Sequence, residues 1–321
     1  MKVRSISMLL AALLGAVSSW AVAQDYPSRP VRVVVPYAAG GPTDVIARTV
    51  AQKMSENTGR SFLVENKVGA GTLIGTREVA LSPPDGYTVL VASPTVAVLP
   101  LMSRSAGYKN EDLVAVAGLS NAPWFFAVPK GIPANTMTEF IAYAKANQGK
   151  LNIGIIGIGS SSHLLTQRFK VATGVDMTEV PYNGSALVMK DLMGGTVQAV
   201  IDGAATSLAA FKSGQAKLLA TTSDKRQPNA PDVPTFRELG YPKIVATAWF
   251  GMFAPSKTPT SIRQRLGAEA IKALTDQAVK DRLIATGGVP WAGTTEEFIA
   301  FLAQDFPNWE EDAKRSGLKT D

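Results

Sequence analysis

Two stretches of this sequence put backbone amides and hydroxyls where an anion could be held. The first is Pro36-Tyr37-Ala38-Ala39-Gly40-Gly41-Pro42-Thr43-Asp44, between the apolar run Val31 to Val35 and a segment with helical spacing at Ile46, Val50 and Met54. Gly40 and Gly41 let the backbone bend tightly and approach a ligand without a Cβ in the way, so Gly41→Val should abolish binding. Thr43 and Asp44 stand where a helix begins, and its free N–H groups and dipole favour an anion such as a carboxylate. The same spacing fits a plain strand–helix turn with Asp44 as a capping residue. Asp44 is itself acidic, so it is expected to shape the loop rather than touch an anion.

The second stretch is Gly157-Ile158-Gly159-Ser160-Ser161-Ser162-His163, after the apolar run Leu151 to Ile156. It repeats the plan: strand, glycine-rich turn, hydroxyl donors, helix start. His163 is the one histidine of the chain. It is either a ligand's hydrogen-bond donor, directly or through water, or a packed first-turn residue. Further candidates sit at strand ends. Tyr37 and Tyr182 each follow a strand and lead into a glycine turn, and Trp124, Phe125 and Trp249 could wall a pocket. Asp202 ends the run Val197 to Ile201, where it could accept from an amine or hydroxyl of a ligand or cap the next helix.

Other chemistries lack their residues. The 321-residue chain has no cysteine, which removes disulfides, thiolate catalysis and zinc–cysteine sites. One histidine leaves only carboxylates to complete a metal site, so no metal is expected. Gly157 to Ser162 has neither the closing glycine of a nucleophile elbow nor the Gly-Lys-Ser/Thr ending of a phosphate loop. Gly69-Ala70-Gly71 begins like a dinucleotide fingerprint, but Ile74 occupies the third glycine's place. The expectation is a binding protein with no cofactor, not an enzyme; a serine hydrolase using Ser161 and His163 is the weaker enzyme reading.

The elements that would carry these loops alternate. Val31 to Val35, Ser61 to Val64 and Tyr87 to Val91 read as strands, with helices over Thr43 to Thr58, closed by Gly59, and over Thr72 to Leu81. This order implies a parallel sheet with helices on both faces. The pattern restarts with strand Phe125 to Val128, helix Thr136 to Asn147 and strand Leu151 to Ile156, and runs on to Leu218-Leu219-Ala220. A proline-rich run (Pro228, Pro231, Pro234, Pro242) precedes a strand over Val245 to Phe253, and the tail from Thr260 to Ser316 is mostly helical. Breaks near Ala122-Pro123 and Lys243-Ile244 suggest two crossings between lobes. Residues 24–122 and 244–321 would form one lobe and 123–243 the other, with the ligand between them at the C-terminal ends of parallel strands.

Lys2 and Arg4, the apolar stretch Met8 to Val17 and the small-residue pattern Ala21-Val22-Ala23 make the layout of an export signal at 1–23, cleaved before Gln24. The apolar core is short of the ~20 residues that span a bilayer. Cleavage leaves 298 residues, and the formal charge of +6 falls to +4. The basic residues are scattered, with no stripe for nucleic acid. A soluble periplasmic protein, free of a lipid anchor, is expected.

These motifs have a shared order. Tyr26-Pro27-Ser28-Arg29-Pro30, Pro36 to Asp44, Val64-Glu65-Asn66 with Gly69-Ala70-Gly71, Pro83 to Thr88, Gly157 to His163, Val180 to Gly184, Asp232 to Thr235 and Trp249-Phe250-Gly251 follow one another through nearly the whole mature chain. In this the chain resembles the substrate-binding proteins of tripartite tricarboxylate transporters, the Bug family; it departs at Asn183, where many relatives carry lysine. The resemblance implies an α/β, two-lobed periplasmic-binding (Venus flytrap) fold of type II, each lobe a mostly parallel sheet flanked by helices. It implies a monomer that captures a small carboxylate and delivers it to membrane permease subunits, or presents it to a membrane sensor. It also implies that the loops holding Tyr37, Ala39, Gly40, Gly41, Thr43 and Asp44, and Gly159, Ser160, Ser161 and His163, clasp that carboxylate, with Ser93 facing the same cleft. Trp124 and Phe125 beside the cleft would favour an aromatic acid over citrate.

Overall fold

The computed structural model describes residues 26–103, 106–285 and 287–317. The expected export signal and its cleavage point lie outside them. Strand β1 (Val31–Val35) is the apolar run VRVVV, buried at four of five positions. It lies between β2 (Phe62–Asn66) and β3 (Thr88–Ala92), parallel to both. Four of its five residues are valine because helices cover both faces of such a sheet; Arg32 is half-buried and pairs with Glu65 and Glu78. Helix α1 (Pro42–Thr58) starts with proline at its first position, where the missing N–H costs nothing. It ends on Gly59 in the left-handed conformation, φ +66°, as the sequence leads one to expect. Helices α2 (Leu73–Ala80) and α3 (Thr95–Met102) follow β2 and β3.

Strand β4 (Leu113–Pro129) is 17 residues long and joins the two halves of the molecule. Its first part, through Pro123, pairs antiparallel with β9 (Thr247–Pro255), and β10 (Val289–Pro290) also pairs there. From Trp124 onward it pairs with β7 (Ala199–Gly203), and from Phe125 with β8 (Ala216–Thr221). Strand β5 (Asn152–Ile155) then runs parallel to β7 and to β6 (Thr178–Pro181). The hydrogen-bonded path is β2-β1-β3-β9-β4-β7-β5-β6, so the parallel triplets β2-β1-β3 and β7-β5-β6 lie at its two ends. Each triplet, with its helices, is one lobe. Helices α4 (Met137–Ala146), α5 (Ser161–Thr173), α6 (Ser185–Met193) and α7 (Ala204–Lys212) belong to the second half. After the turn Pro242–Ile244 the chain returns through β9 to α8 (Thr260–Thr275), α9 (Gln277–Ala285) and the long α10 (Thr295–Ser316).

Two aromatic clusters hold these layers. In the second lobe Phe126 packs on Phe140, Phe169 and Phe236, with ring centroids 5.1, 4.7 and 6.3 Å away. Against the first, Trp249 of β9 packs on Phe298 and Phe306 of α10, and its indole N–H donates to Asp305 at 2.6 Å. Each such ring buries enough apolar surface to stabilise the fold by about 2–3 kcal/mol. On the far side of the lobe junction Arg168 of α5 pairs with Asp312 of α10 and lies over the Trp309 ring.

Candidate functional site

The C-terminal ends of β1, β3, β5 and β7 lead directly into α1, α3, α5 and α7, so these helices start where the two lobes face each other. Between their N-termini lies a cavity of about 50 Å³, room for a few waters or part of a small molecule. Of the residues singled out above, Tyr37, Gly41, Thr43, Ser93, Ser160, Ser161 and Asp202 line it. Ser162 of the second stretch lines it too, as do Thr95, Ser185, Ala248 and Phe250, which sequence reasoning did not single out. Asp202 is the one carboxyl among the described lining residues, none of which is a lysine, arginine or histidine, and burial pushes that carboxyl up.

The remaining expected loop residues do not line the cavity, and Ala39 and Gly40 are exposed. Gly40 has φ +82°, and its N–H donates to Asp44 Oδ2 at 3.0 Å. Asp44 is buried and also accepts from Asn66 Nδ2 at 2.9 Å and from Arg48 Nε at 3.0 Å. Burial pushes its carboxyl up, but the hydrogen bonds from Arg48, Gly40 and Asn66 outweigh that and leave it below the usual aspartate range. Asp44 shapes the loop, and Ala39 rides on the bend it fixes. Gly41 is less crowded than its expected role implies. At φ −80° it is ordinary extended backbone, and a Cβ there would meet only Ala38 O at 3.6 Å and Ser185 Cβ at 3.9 Å.

The second loop has the same construction. Gly159, φ +78°, donates its N–H to His163 Nδ1 at 3.0 Å. With Nδ1 accepting, the ring proton sits on Nε2, which donates to Glu179 Oε2 at 2.8 Å. Glu179 also accepts from Gln167 at 2.5 Å and Lys170 at 3.1 Å. His163 is 2% exposed and lies off the cavity. Ser160 caps α5 by accepting from the His163 N–H at 3.1 Å. Tyr182 is turned to Asp191, 2.7 Å away, and faces a smaller cavity that shares Tyr37 and Ile156 with the main one. Burial and the Asp191 carboxylate push its hydroxyl up to about 12.

The aromatic expectations divide by strand alternation. Trp124 lines the cavity; Phe125, its neighbour on β4, points the other way into the core and is fully buried. On β9 Phe250 lines the cavity while Trp249 is core. Successive strand residues face opposite sides, so Phe125 and Trp249 cannot wall the pocket that Trp124 and Phe250 do.

Chemically the cavity offers hydrogen-bond donors and no lysine, arginine or histidine among its described lining residues. In the first turn of α5 the Ser161 and His163 N–H groups go to Thr95 Oγ1 and Ser160 Oγ, but the Ser162 N–H and, after Pro42, the Thr43 and Asp44 N–H groups of α1 have no described acceptor, and both helix ends carry partial positive charge. Hydroxyls of Thr43, Ser160 and Ser161 surround them. The lobes touch around the cavity. Ser161 N–H donates to Thr95 Oγ1 at 3.2 Å and Ala38 N–H donates to Asn183 O at 3.4 Å, while within the first lobe Tyr37 Oη and Ser93 Oγ are 2.6 Å apart. No acyl-transfer geometry accompanies the serines, because both His163 ring nitrogens are engaged away from Ser161.

Residues 46–318 match the family described as "Tripartite tricarboxylate transporter family receptor". Protein BugT of Bordetella pertussis is 36% identical to this chain over 300 residues, covering 92% of each. Among solved structures, MatC from Rhodopseudomonas palustris with bound malate is 30% identical, with a TM-score of 0.85, over 90% of this chain and 100% of that one. Rpa4515 of R. palustris with adipate is 33% identical, with a TM-score of 0.87, over 92% and 99%. With two lobes, a hydroxyl-lined cavity between them and a family match that spans most of its length, the chain belongs to the tripartite tricarboxylate transporter receptor family, the solute-binding proteins of the Bug type.

Proposed function

We propose that this chain captures a small carboxylate between its lobes in the periplasm and delivers it to the permease subunits of a tripartite tricarboxylate transporter. The observation that carries this is the convergence of α1 and α5 N-termini on one hydroxyl-lined cavity. Such an arrangement satisfies an anion with N–H groups and dipoles. Relatives crystallised with malate and with adipate support the ligand class. Tyr37, Gly41, Thr43, Ser93, Ser160, Ser161 and Asp202 face the ligand. Ala39, Gly40, Asp44, Gly159 and His163 hold the two loops in shape, and Tyr182 closes the edge.

The lobes are 24–122 with 244–321, and 123–243. The change of β4 partners after Pro123 and the turn at Pro242–Ile244 support those boundaries. Residues 1–23 direct export and are removed. The protein acts as a monomer and performs no chemistry, a reading supported by the engagement of His163. The test is thermal stability of the mature chain, residues 24–321, against malate, succinate, adipate, citrate, benzoate and uncharged analogues. An acid at 100 times its Kd should stabilise the protein by about 2.7 kcal/mol. Stabilisation by an uncharged analogue and by none of the acids would end this reading.

A further inference from the structure

Asp202 is out of place in a cleft for anions. It is 0% exposed, it lines the cavity, and no lysine, arginine or histidine is among its described partners. Its carboxylate is held by three donors. Ser185 Oγ lies 2.5 Å and Gly203 N–H 2.7 Å from Oδ1, and the Thr206 hydroxyl donates to Oδ2. Ser185 opens α6 and Gly203 precedes α7. The starts of α6 and α7 therefore serve the protein's own carboxyl, while the Ser162 N–H of α5 and the Thr43 and Asp44 N–H groups of α1 have no described acceptor and are left for a ligand's. Burial pushes the Asp202 carboxyl up, against the pull of its three donors; ionised, it offers about four acceptor positions, of which three are filled, only one of them on Oδ2.

We propose that Asp202 makes this site select acids that carry a hydroxyl or ammonium group beside the held carboxylate, over the unsubstituted acid. This rests on the carboxylate-capture reading above. The cavity is small, so whatever is attached next to a carboxylate held by α1 and α5 comes close to Asp202. A methylene there would leave the acid's remaining lone pairs desolvated, which is unfavourable. A second carboxylate there would meet a like charge in a medium that screens poorly. A hydroxyl or ammonium donor supplies the missing hydrogen bond, and bonds to a charged acceptor are the stronger kind.

The test is calorimetric titration of the mature chain with matched acids: malate and aspartate against succinate, and lactate and alanine against propionate. In at least one set a substituted acid should bind about tenfold or more tightly than its plain partner, the size of one hydrogen bond to a charged group. Asp202→Asn removes the charge and should cut that ratio below about threefold. A ratio near one in the native protein, or a ratio that survives in Asp202→Asn, overturns the proposal and leaves carboxylate capture standing. Binding of no acid by the native protein overturns capture and this inference together. Should Asp202→Asn fail to fold, Thr206→Val takes its place. With one donor gone from Oδ2, the preference for a substituted acid should rise at least about threefold, and an unchanged ratio overturns the proposal.

Discussion

The β1–α1 and β5–α5 loops follow one plan and differ in how it is charged. Each has a glycine with φ near +80°, and each fixes that glycine's N–H with a side chain four residues later: Gly40 to Asp44, Gly159 to His163. Each acceptor is anchored in turn, Asp44 by Arg48 and Asn66, His163 by Glu179. In the first loop the acceptor is an anion with a cation behind it. In the second it is a neutral ring with an anion behind it. The titratable side chains of both loops are therefore used as staples, and the surface turned to the ligand is left to N–H groups and hydroxyls. Such a surface can hold a carboxylate without a fixed cation that would bind any anion and release it slowly.

Each loop also meets glycines of the opposite lobe, and the largest effect should come from filling them. A Cβ on Gly71 would lie 2.7 Å from the carbonyl oxygen of Ile158, in the β5–α5 loop, and one on Gly203 would lie 2.7 Å from Cγ of Pro42, in the β1–α1 loop. Neither lobe can approach as closely with that atom present. Gly71→Ala and Gly203→Ala should each weaken ligand binding about 100-fold, some 2.7 kcal/mol, measured by titration calorimetry. Gly71 has φ +66°, so its variant should also lose about 1 kcal/mol of stability; Gly203→Ala carries no such strain. Native affinity in one variant and not the other would break the equivalence of the two loops.

The next effect compares the staples themselves. His163→Ala removes a buried ring, orphans the Gly159 N–H and leaves Glu179 with Lys170 and Gln167. Its expected cost in urea unfolding is about 3 kcal/mol, from lost packing and unmade hydrogen bonds. Asp44→Ala frees Arg48, whose side chain is 47% exposed and can turn to water. Its cost should be nearer 2 kcal/mol. An equal or reversed order would mean that the charged staple carries more of its loop than the neutral one.

Much of this was legible in the sequence, and the rest fails for identifiable reasons. Both glycine loops, the loop-shaping role of Asp44 and the strand–helix alternation follow from residue types alone. Helix α3 was not, because Thr95-Val96-Ala97-Val98-Leu99-Pro100 has β-branched residues and an internal proline, both unfavourable to helices, and only burial on every side holds it helical. Ala122-Pro123 looks like a break in the sequence, yet β4 runs through it; proline is tolerated there as the strand changes partners. His163 looked like a ligand donor because spacing cannot show Glu179, which arrives from a separate strand 16 residues on. Thr95, Ser185 and Phe250 were missed for the same reason: only the meeting of two lobes brings them to one cavity. Alternation along Trp249-Phe250 could have flagged Phe250, since a core tryptophan turns its neighbour the other way.

The smallest effect sharpens the charge difference between the loops. Burial pushes the Glu179 carboxyl up, but the hydrogen bonds from His163 and Lys170 outweigh it and hold the group below the usual glutamate range. A folded-state pKa lower than the unfolded one means that the ionised form stabilises the fold. That contribution is present above the unfolded value of about 4.3 and is lost as the pH falls through the lower folded value. Glu179→Gln keeps the shape and removes the charge, so at pH 7 it should be less stable than the native protein by about 1 kcal/mol. The gap should begin to close below about pH 4 and vanish in stronger acid, followed by urea midpoints at constant ionic strength. Asp44→Asn should behave with the same sign, because its carboxyl is also held low. A Glu179→Gln gap that widened in acid would show that the protonated carboxyl is the form His163 needs. The second loop would then be held by a neutral pair from end to end, and the contrast with Asp44 and Arg48 would be sharper than the hydrogen bonds alone imply.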